Sequence, residues 1–298
     1  MKKTILIGPS GFLGYSFLKE YPDIIAVGRN KPKLLNNEFI HIKDDNDFES
    51  LKDIDFNNVI FLIGNSHHEL LNNTSVLALE KNALPLAKFL FFLKSNNIKV
   101  DKIITFTTML QYDNQKLVLP CKESNPRNPY SNNYVFSKYV AEMLSEQYRD
   151  LFSIIDLRIS NVYGPFYCSR PDLIPSLIEK AIKGKKLSVW TKKSRRDFIY
   201  VKDAVDAVIK LLECEYSGPL NLGTGMSHSV KEICDVIEEL TQNIILDEDI
   251  EVSGHMEYYH DISLLQSLIN WRPYTPINEG IKKTYIDMKY FHENLNLY

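Results

Sequence analysis

Short apolar runs alternate with longer stretches whose apolar positions recur every three or four residues through the first two thirds of the chain. The runs Thr4–Ile7, Ile24–Val27, Phe39–Ile42, Val59–Ile63, Lys102–Thr107 and Ser153–Leu157 predict strands, and Phe12–Glu20, Val76–Ser95 and Tyr134–Arg149 predict helices. Such alternation predicts βαβ units, a mostly parallel sheet and right-handed crossovers. After Gly164-Pro165 the pattern loosens: Ile174–Lys183 and Ser229–Thr241 predict helices, Leu220–Leu222 one more sheet strand, and the acidic stretch Asp247–Glu251 a solvated loop or strand edge. The expected fold class is α/β: a Rossmann-type doubly wound parallel sheet with a smaller, interwoven C-terminal substrate-binding lobe. Residues 1–164 would form the dinucleotide domain, with 197–224 returning to it, and residues 165–196 and 225–298 the smaller lobe.

Composition narrows the function. The 298 residues suffice for one large or two smaller lobes, and 44% hydrophobic with 24% charged residues is ordinary for a soluble globular protein. A net charge of -3, from 35 basic and 38 acidic residues, gives no electrostatic case for a nucleic-acid partner. No run approaches the ~18 apolar residues that a membrane span needs, and the apolar part of MKKTILIGPSG is too short for a signal peptide. Cys121, Cys168, Cys214 and Cys234 are far apart and fit neither a disulfide framework nor a metal spacing, so we expect reduced thiols, no metal and a cytoplasmic location.

Candidate chemistry begins at the first strand. Ile5-Leu6-Ile7 leads into Gly8-Pro9-Ser10-Gly11-Phe12-Leu13-Gly14 and then a helix. Gly8 permits the tight turn, Gly11 lets backbone amides approach a pyrophosphate, and Gly14 allows close helix–strand packing. The helix start adds free N–H groups and a positive dipole. The spacing is GxxGxxG rather than GxGxxG. At the second strand end, where an acid would bind the ribose 2′-OH of NAD, the chain reads Val27-Gly28-Arg29-Asn30-Lys31. Gly28 leaves room and Arg29 can pair with a 2′-phosphate, which favours NADP(H) over NAD unless Arg29 is merely a solvated surface residue. Asp44, with Asp45 and Asp47 beside it, is placed to accept from the adenine amino group.

Tyr134 and Lys138, in NNYVFSK, stand four apart in a predicted helix and so share one face. An ammonium beside a phenol stabilises phenolate, drawing an acid of ordinary pKa about 10 toward working pH. That suits proton transfer to or from a sugar hydroxyl or carbonyl.

These features together resemble the extended short-chain dehydrogenase/reductase family, in its NAD(P)-dependent nucleotide-sugar epimerase/dehydratase/reductase branch. GPSGFLG is similar to the family's GxxGFxG loop, VIFLIGNSH to its fourth-strand run, and ITFTTMLQY to the fifth-strand run ending in the catalytic Ser/Thr. LRISNVYGP, RRDFIYVKD, NLGTG and NWRP resemble four later signatures in the right order. The resemblance implies that Thr108 and Tyr134 hold the reacting oxygen, that Tyr134 exchanges its proton, and that Lys138 holds the nicotinamide ribose and lowers the tyrosine's pKa. It places Tyr112 as a trailing tyrosine, and Ile63 and Asn82 beside the cofactor. Asn161 and Arg196 would contact the diphosphate of a nucleotide-sugar substrate. Ser66 and His67 would border cofactor or sugar, although a lone histidine is more often a hydrogen-bonded structural residue. A homodimer is expected through Leu84–Leu93 and Tyr134–Tyr148.

Departures from the family pattern choose among its reactions. Sugar 4,6-dehydratases carry Asp-Glu directly after the catalytic Thr; Met109-Leu110 stands here, and neither side chain can move a proton. The expectation is NADPH-dependent reduction of a 4-keto, 6-deoxy sugar on a nucleoside diphosphate. An epimerase with tightly bound NAD is the alternative, and a non-catalytic dinucleotide-binding protein a lesser one. A second phosphate-binding arginine, frequent in the family, is missing from Glu251-Val252-Ser253-Gly254-His255, leaving Lys185, Lys186 or Arg195 to assist Arg196.

Overall fold

The computed structural model describes residues 2–66, 71–251 and 256–295. Seven strands make one parallel sheet: β1 (Thr4–Ile7), β2 (Ile25–Gly28), β3 (Phe39–His41), β4 (Asn58–Phe61), β5 (Lys102–Thr108), β6 (Ile154–Ile159) and Gly218–Leu222, in the order Gly218–Leu222, β6, β5, β4, β1, β2, β3. The chain therefore winds outward from β1 in one direction and from β4 in the other. Strand order reverses between those two, and in open α/β sheets the crevice at that reversal is where ligands bind.

The layers follow from the two-residue period of a strand. Ile5, Ile7, Ile25, Val27, Val59, Phe61, Ile103 and Ile154 face one way, into a core with Phe89, Leu90 and Ala141. Their neighbours Leu6, Ala26, Ile60, Ile104 and Ile155 face the other, against Phe17, Leu18, Val205 and Val208. With both faces covered, the strands read as continuous apolar runs, as parallel strands do. Helices α1 (Phe12–Glu20) and Val201–Leu211 cover one face, and α2 (Leu84–Ser95) with α3 (Asn133–Glu146) the other. Leu173–Ile182, Val230–Thr241 and Ile277–Leu295 pack together over a separate core that includes Ile178, Ile233, Ile237, Ile281 and Met288. Among the described residues no helix is long and apolar enough to cross a membrane, and no cluster of side chains could hold a metal ion.

The predicted helix Val76–Ser95 is two: Ser75–Asn82, capped by Thr74 accepting from Leu77 N–H at 3.0 Å, and α2. Pro85 lies in the first turn of α2; without an N–H, and with its ring against the preceding turn, it ends the first helix at Ala83. Phe89, Leu90 and Phe92 are core while Phe91 is 62% exposed. Val201–Leu211, Ser263–Leu268 and Ile277–Leu295 were not expected as helices. For the first the signal is present, with Val201, Ala204, Val205, Val208 and Leu211 at helical spacing.

Asp197, fully buried, ties the smaller part of the molecule to the sheet edge by accepting from Thr224 N–H, Thr224 Oγ1, Gly225 N–H and His260 N–H. The His260 ring beside it is also fully buried, edge-on to Tyr258. Burial lowers its pKa from 6.5 to about 3, the Leu222 backbone acting the other way and Arg158 adding to the fall. The unfolded chain thus binds a proton below pH 6.5 that the folded chain refuses until about pH 3. Stability is expected to fall with pH across that window, His260 contributing at most ~1.4 kcal/mol per pH unit. Denaturant melts of His260→Leu should show a shallower slope between those pH values; an unchanged slope would exclude His260 as the cause.

Candidate active site

The carboxyl ends of β1, β4, β5 and β6 open into a cavity of about 490 Å³. The glycine loop forms one wall. Gly8 has φ 90°, a left-handed conformation that favours glycine, and a Cβ on Gly14 would lie 2.6 Å from the Pro9 carbonyl oxygen. Gly11 caps α1 with no side-chain bond, and the space a Cβ would take beside it is open. The first-turn amides of α1 thus stand at a bare cradle on the cavity wall, which fits a dinucleotide diphosphate. Gly28 has a further reason to be glycine: a Cβ there would meet the Pro9 ring at 2.7 Å.

Thr108 closes β5, its Oγ1 accepting from Leu110 N–H at 3.2 Å. Asn132 caps α3 by accepting from Val135 N–H at 2.9 Å, which starts the helix one residue before Tyr134. Lys138, one turn later, donates to the Phe106 carbonyl at 3.0 Å. Asn82 braces this turn from behind the wall. Its Oδ1 accepts from Asn65 N–H at 2.6 Å, its Nδ2 donates to Ser137 Oγ at 2.9 Å, and Ser137 Oγ donates to the Tyr134 carbonyl at 2.8 Å.

The electrostatics differ from expectation in one respect. Burial pushes the Tyr134 phenol up to about 12; a hydrogen bond with Thr108 pulls it down and Asp172 pushes it up. Burial also lowers the Lys138 ammonium to about 8. Desolvation outweighs the ammonium–phenol effect that the four-residue spacing suggests.

The cavity gathers Gly8, Gly11, Phe12, Leu13, Gly14, Ser66, Thr108, Tyr134, Lys138 and Asn161 on its wall, with Met109 and Leu110 beside Thr108. Ser10, Ile63, Asn82, Arg29, Asp44 and Arg196 are not on it. Arg29 pairs through Nε with Asp45 at 3.0 Å beyond β2, while Asp44 is spent on the Asn46 amide at 2.7 Å. Arg196 donates to the carbonyls of Arg195 at 2.8 Å and Met256 at 3.1 Å. Arg195 pairs with Glu232 and Glu257. Asn161 Nδ2 donates to the Asp197 carbonyl at 3.0 Å. Tyr112 is buried behind the site and donates to Asn221 Oδ1 at 2.6 Å. His67 and His255 lie outside the described residues. Sequence reasoning missed Arg170 and Asp172, both on the wall and 2.6 Å apart. They stand in an irregular segment with no periodicity to flag them.

The sequence model described as "NAD dependent epimerase/dehydratase family" matches residues 4–223. The probable GDP-L-fucose synthase 1 of Oryza sativa subsp. japonica is 29% identical over 187 residues, 58% of this chain and 56% of that protein. A dTDP-4-dehydro-6-deoxy-D-allose reductase of a Streptomyces species is 32% identical over 162 residues, 51% of this chain and 49% of that protein. The chain thus spans about half the length of these curated relatives. The UDP-glucose 4-epimerase structure of Thermotoga maritima superposes with a TM-score of 0.86 at 20% identity, covering 98% of this chain and 100% of that one. The UDP-N-acetylglucosamine 4-epimerase of Methanobrevibacter ruminantium M1 gives 0.84 at 24% identity, covering 96% and 97%. At those identities the superpositions bear on fold alone. The family match over residues 4–223, laid on a glycine cradle that opens beside Thr108, Tyr134 and Lys138, shows that the chain belongs to the NAD-dependent epimerase/dehydratase family.

Proposed function

We propose that the protein reduces a 4-keto, 6-deoxy sugar carried on a nucleoside diphosphate, with NADPH as reductant. The observation that carries this is the wall around Thr108: Met109 and Leu110 are apolar, and the one carboxylate on the described wall, Asp172, is engaged by Arg170. Elimination of water needs a free acid and base near the sugar, whereas carbonyl reduction needs only a proton donor and an orienting hydrogen bond beside the hydride. A phenol held at about 12 keeps its proton at neutral pH, as a donor must.

Reduced nicotinamide, when bound, supplies the hydride to the carbonyl carbon. Tyr134 gives its proton to the carbonyl oxygen. Thr108 Oγ1 donates a second hydrogen bond to that oxygen, fixing its position and favouring the charge that develops there. Lys138 stays mostly protonated at neutral pH and would hold the nicotinamide ribose from its place on the Phe106 carbonyl. Gly8, Ser10, Gly11, Phe12, Leu13 and Gly14 would bind the dinucleotide diphosphate, with Ile63 and Asn82 behind them. Asp44 would bind the adenine, Ser66 the sugar end, and Asn161 and Arg196 the nucleotide end of the substrate. The expected assembly is a homodimer paired through the helices at 84–95 and 133–146; a monomer by sedimentation refutes it.

A second reading, an epimerase retaining NAD, draws support from Asp45. Its carboxylate lies 3.0 Å from Arg29 Nε and offsets the charge that would hold a 2′-phosphate. One experiment separates the two. Nucleotide-linked 4-keto sugars are offered with NADPH and with NADH, and absorbance loss is followed. Stoichiometric NADPH consumption is expected. Tightly bound NAD in the purified protein, with no consumption of either reductant, would sink the reductase reading.

A further inference from the structure

We propose that Arg170 is the arginine of this site that grips a diphosphate. On the described wall it is the sole guanidinium, and Lys138 the sole other cation, already engaged at the Phe106 carbonyl. Arg196, the expected phosphate ligand, is turned to two backbone carbonyls and stands off the wall. Arg170 is held in one attitude from three sides. Its guanidinium carbon lies 3.6 Å over the Phe12 ring, Nη2 donates to the Val162 carbonyl at 3.3 Å, and Nη2 meets Asp172 Oδ2 at 2.6 Å.

That restraint has a chemical use. A planar fork recognises phosphate oxygens in pairs, and stacking on an aromatic face fixes its orientation before a ligand arrives. Its side chain is only 14% exposed, so the contact would form in a partly dry setting where charge-assisted bonds are strong. Asp172, 54% exposed and immediately before Leu173–Ile182, makes no cap bond to that helix because its carboxylate is turned to Arg170. It is a positioning residue for the guanidinium.

Phe12 directly follows Gly11, so the guanidinium lies over the glycine cradle; Asp172, which lines the cavity with Pro171, places it equally at the start of Leu173–Ile182. Two diphosphates could therefore reach it, that of the dinucleotide and that of a nucleotide sugar. The second source rests on the function proposed above, the first does not.

Arg170→Met keeps the stem on Phe12 and removes the fork, while Arg170→Lys keeps a charge without the fork. Calorimetric titrations would use NADPH first, then UDP, dTDP, GDP and CDP on protein saturated with NADPH. Arg170→Met is expected to weaken one class by about 10- to 100-fold, the scale of charge-assisted hydrogen bonds, with Arg170→Lys recovering part of it. Loss confined to NADPH assigns the dinucleotide diphosphate, and loss confined to the nucleoside diphosphates assigns the substrate's. Affinities unchanged for both classes in a folded variant overturn the proposal. If the Met variant does not fold, unchanged affinities in Arg170→Lys do the same. A wild-type protein that binds NADPH but none of the four nucleoside diphosphates refutes the nucleotide-sugar reading, and the NADPH titration alone then decides the role of Arg170.

Discussion

Tyr134→Phe is expected to cut turnover by ~100- to 10,000-fold, the range for loss of a general acid–base group, while the protein folds normally and binds NADPH as before. The ring is buried among Leu71, Ala78 and Val135, and those contacts survive removal of the hydroxyl. What disappears is the proton donor and the partner of Thr108. With its proton gone, the carbonyl oxygen would have to take one from water, which a largely buried site supplies poorly. Single-turnover oxidation of NADPH, read beside the melting temperature, checks both halves of the expectation. Turnover within a few-fold of wild type would remove Tyr134 from the chemistry. A collapse of stability with the same loss of rate would leave the catalytic claim without support.

The sheet and the placement of Tyr134 and Lys138 on one helix face were legible for one reason: each is a local periodicity. Ile5, Leu6 and Ile7 form an apolar run because both faces of β1 are covered, and Tyr134 and Lys138 share a face because four residues make about one helical turn. Pro85 was legible too, and the helix break at Ala83 could have been read from it. What the sequence hid is set by tertiary neighbours. Spacing says that Lys138 faces the same way as Tyr134, but not that its ammonium goes to the Phe106 carbonyl. The Arg196 guanidinium, expected to meet phosphates, donates here to the carbonyl of its neighbour Arg195 and to that of Met256, which arrives just ahead of a partner strand that no local pattern announces. Arg170 and Asp172 depend on Phe12, about 160 residues earlier in the chain, which a local reading cannot join.

Glu142, a further turn along the face that carries Tyr134 and Lys138, supports the largest expected effect on stability. It is 2% exposed and is met by Arg158 Nη2 at 2.5 Å and Nε at 3.1 Å, by Arg127 Nη1 at 2.7 Å and by Gln111 Nε2 at 2.9 Å. Arg158, equally buried on β6, also donates to Tyr112 Oη at 3.0 Å and the Glu123 carbonyl at 2.8 Å. Burial alone would raise the Glu142 carboxyl, yet Arg158, Gln111 and Arg127 bring it below its ordinary 4.5. Its folded pKa being depressed, the stability it contributes is full above the ordinary value and is lost as pH falls through the folded one. Glu142→Ala would strand the Arg158 guanidinium in the interior, at an expected cost of ~3–5 kcal/mol by urea unfolding at neutral pH. Glu142→Leu combined with Arg158→Met should recover most of that, because an apolar pair of similar volume replaces a buried ion pair at little cost. Gln111 stands three residues after Thr108 and Glu142 four after Lys138, so the same lesion should loosen the placement of Thr108 and Lys138 in whatever fraction stays folded. A loss below ~1 kcal/mol for Glu142→Ala would mean that the pair is worth no more than an exposed salt bridge, and that something other than this ion pair anchors α3 to the sheet.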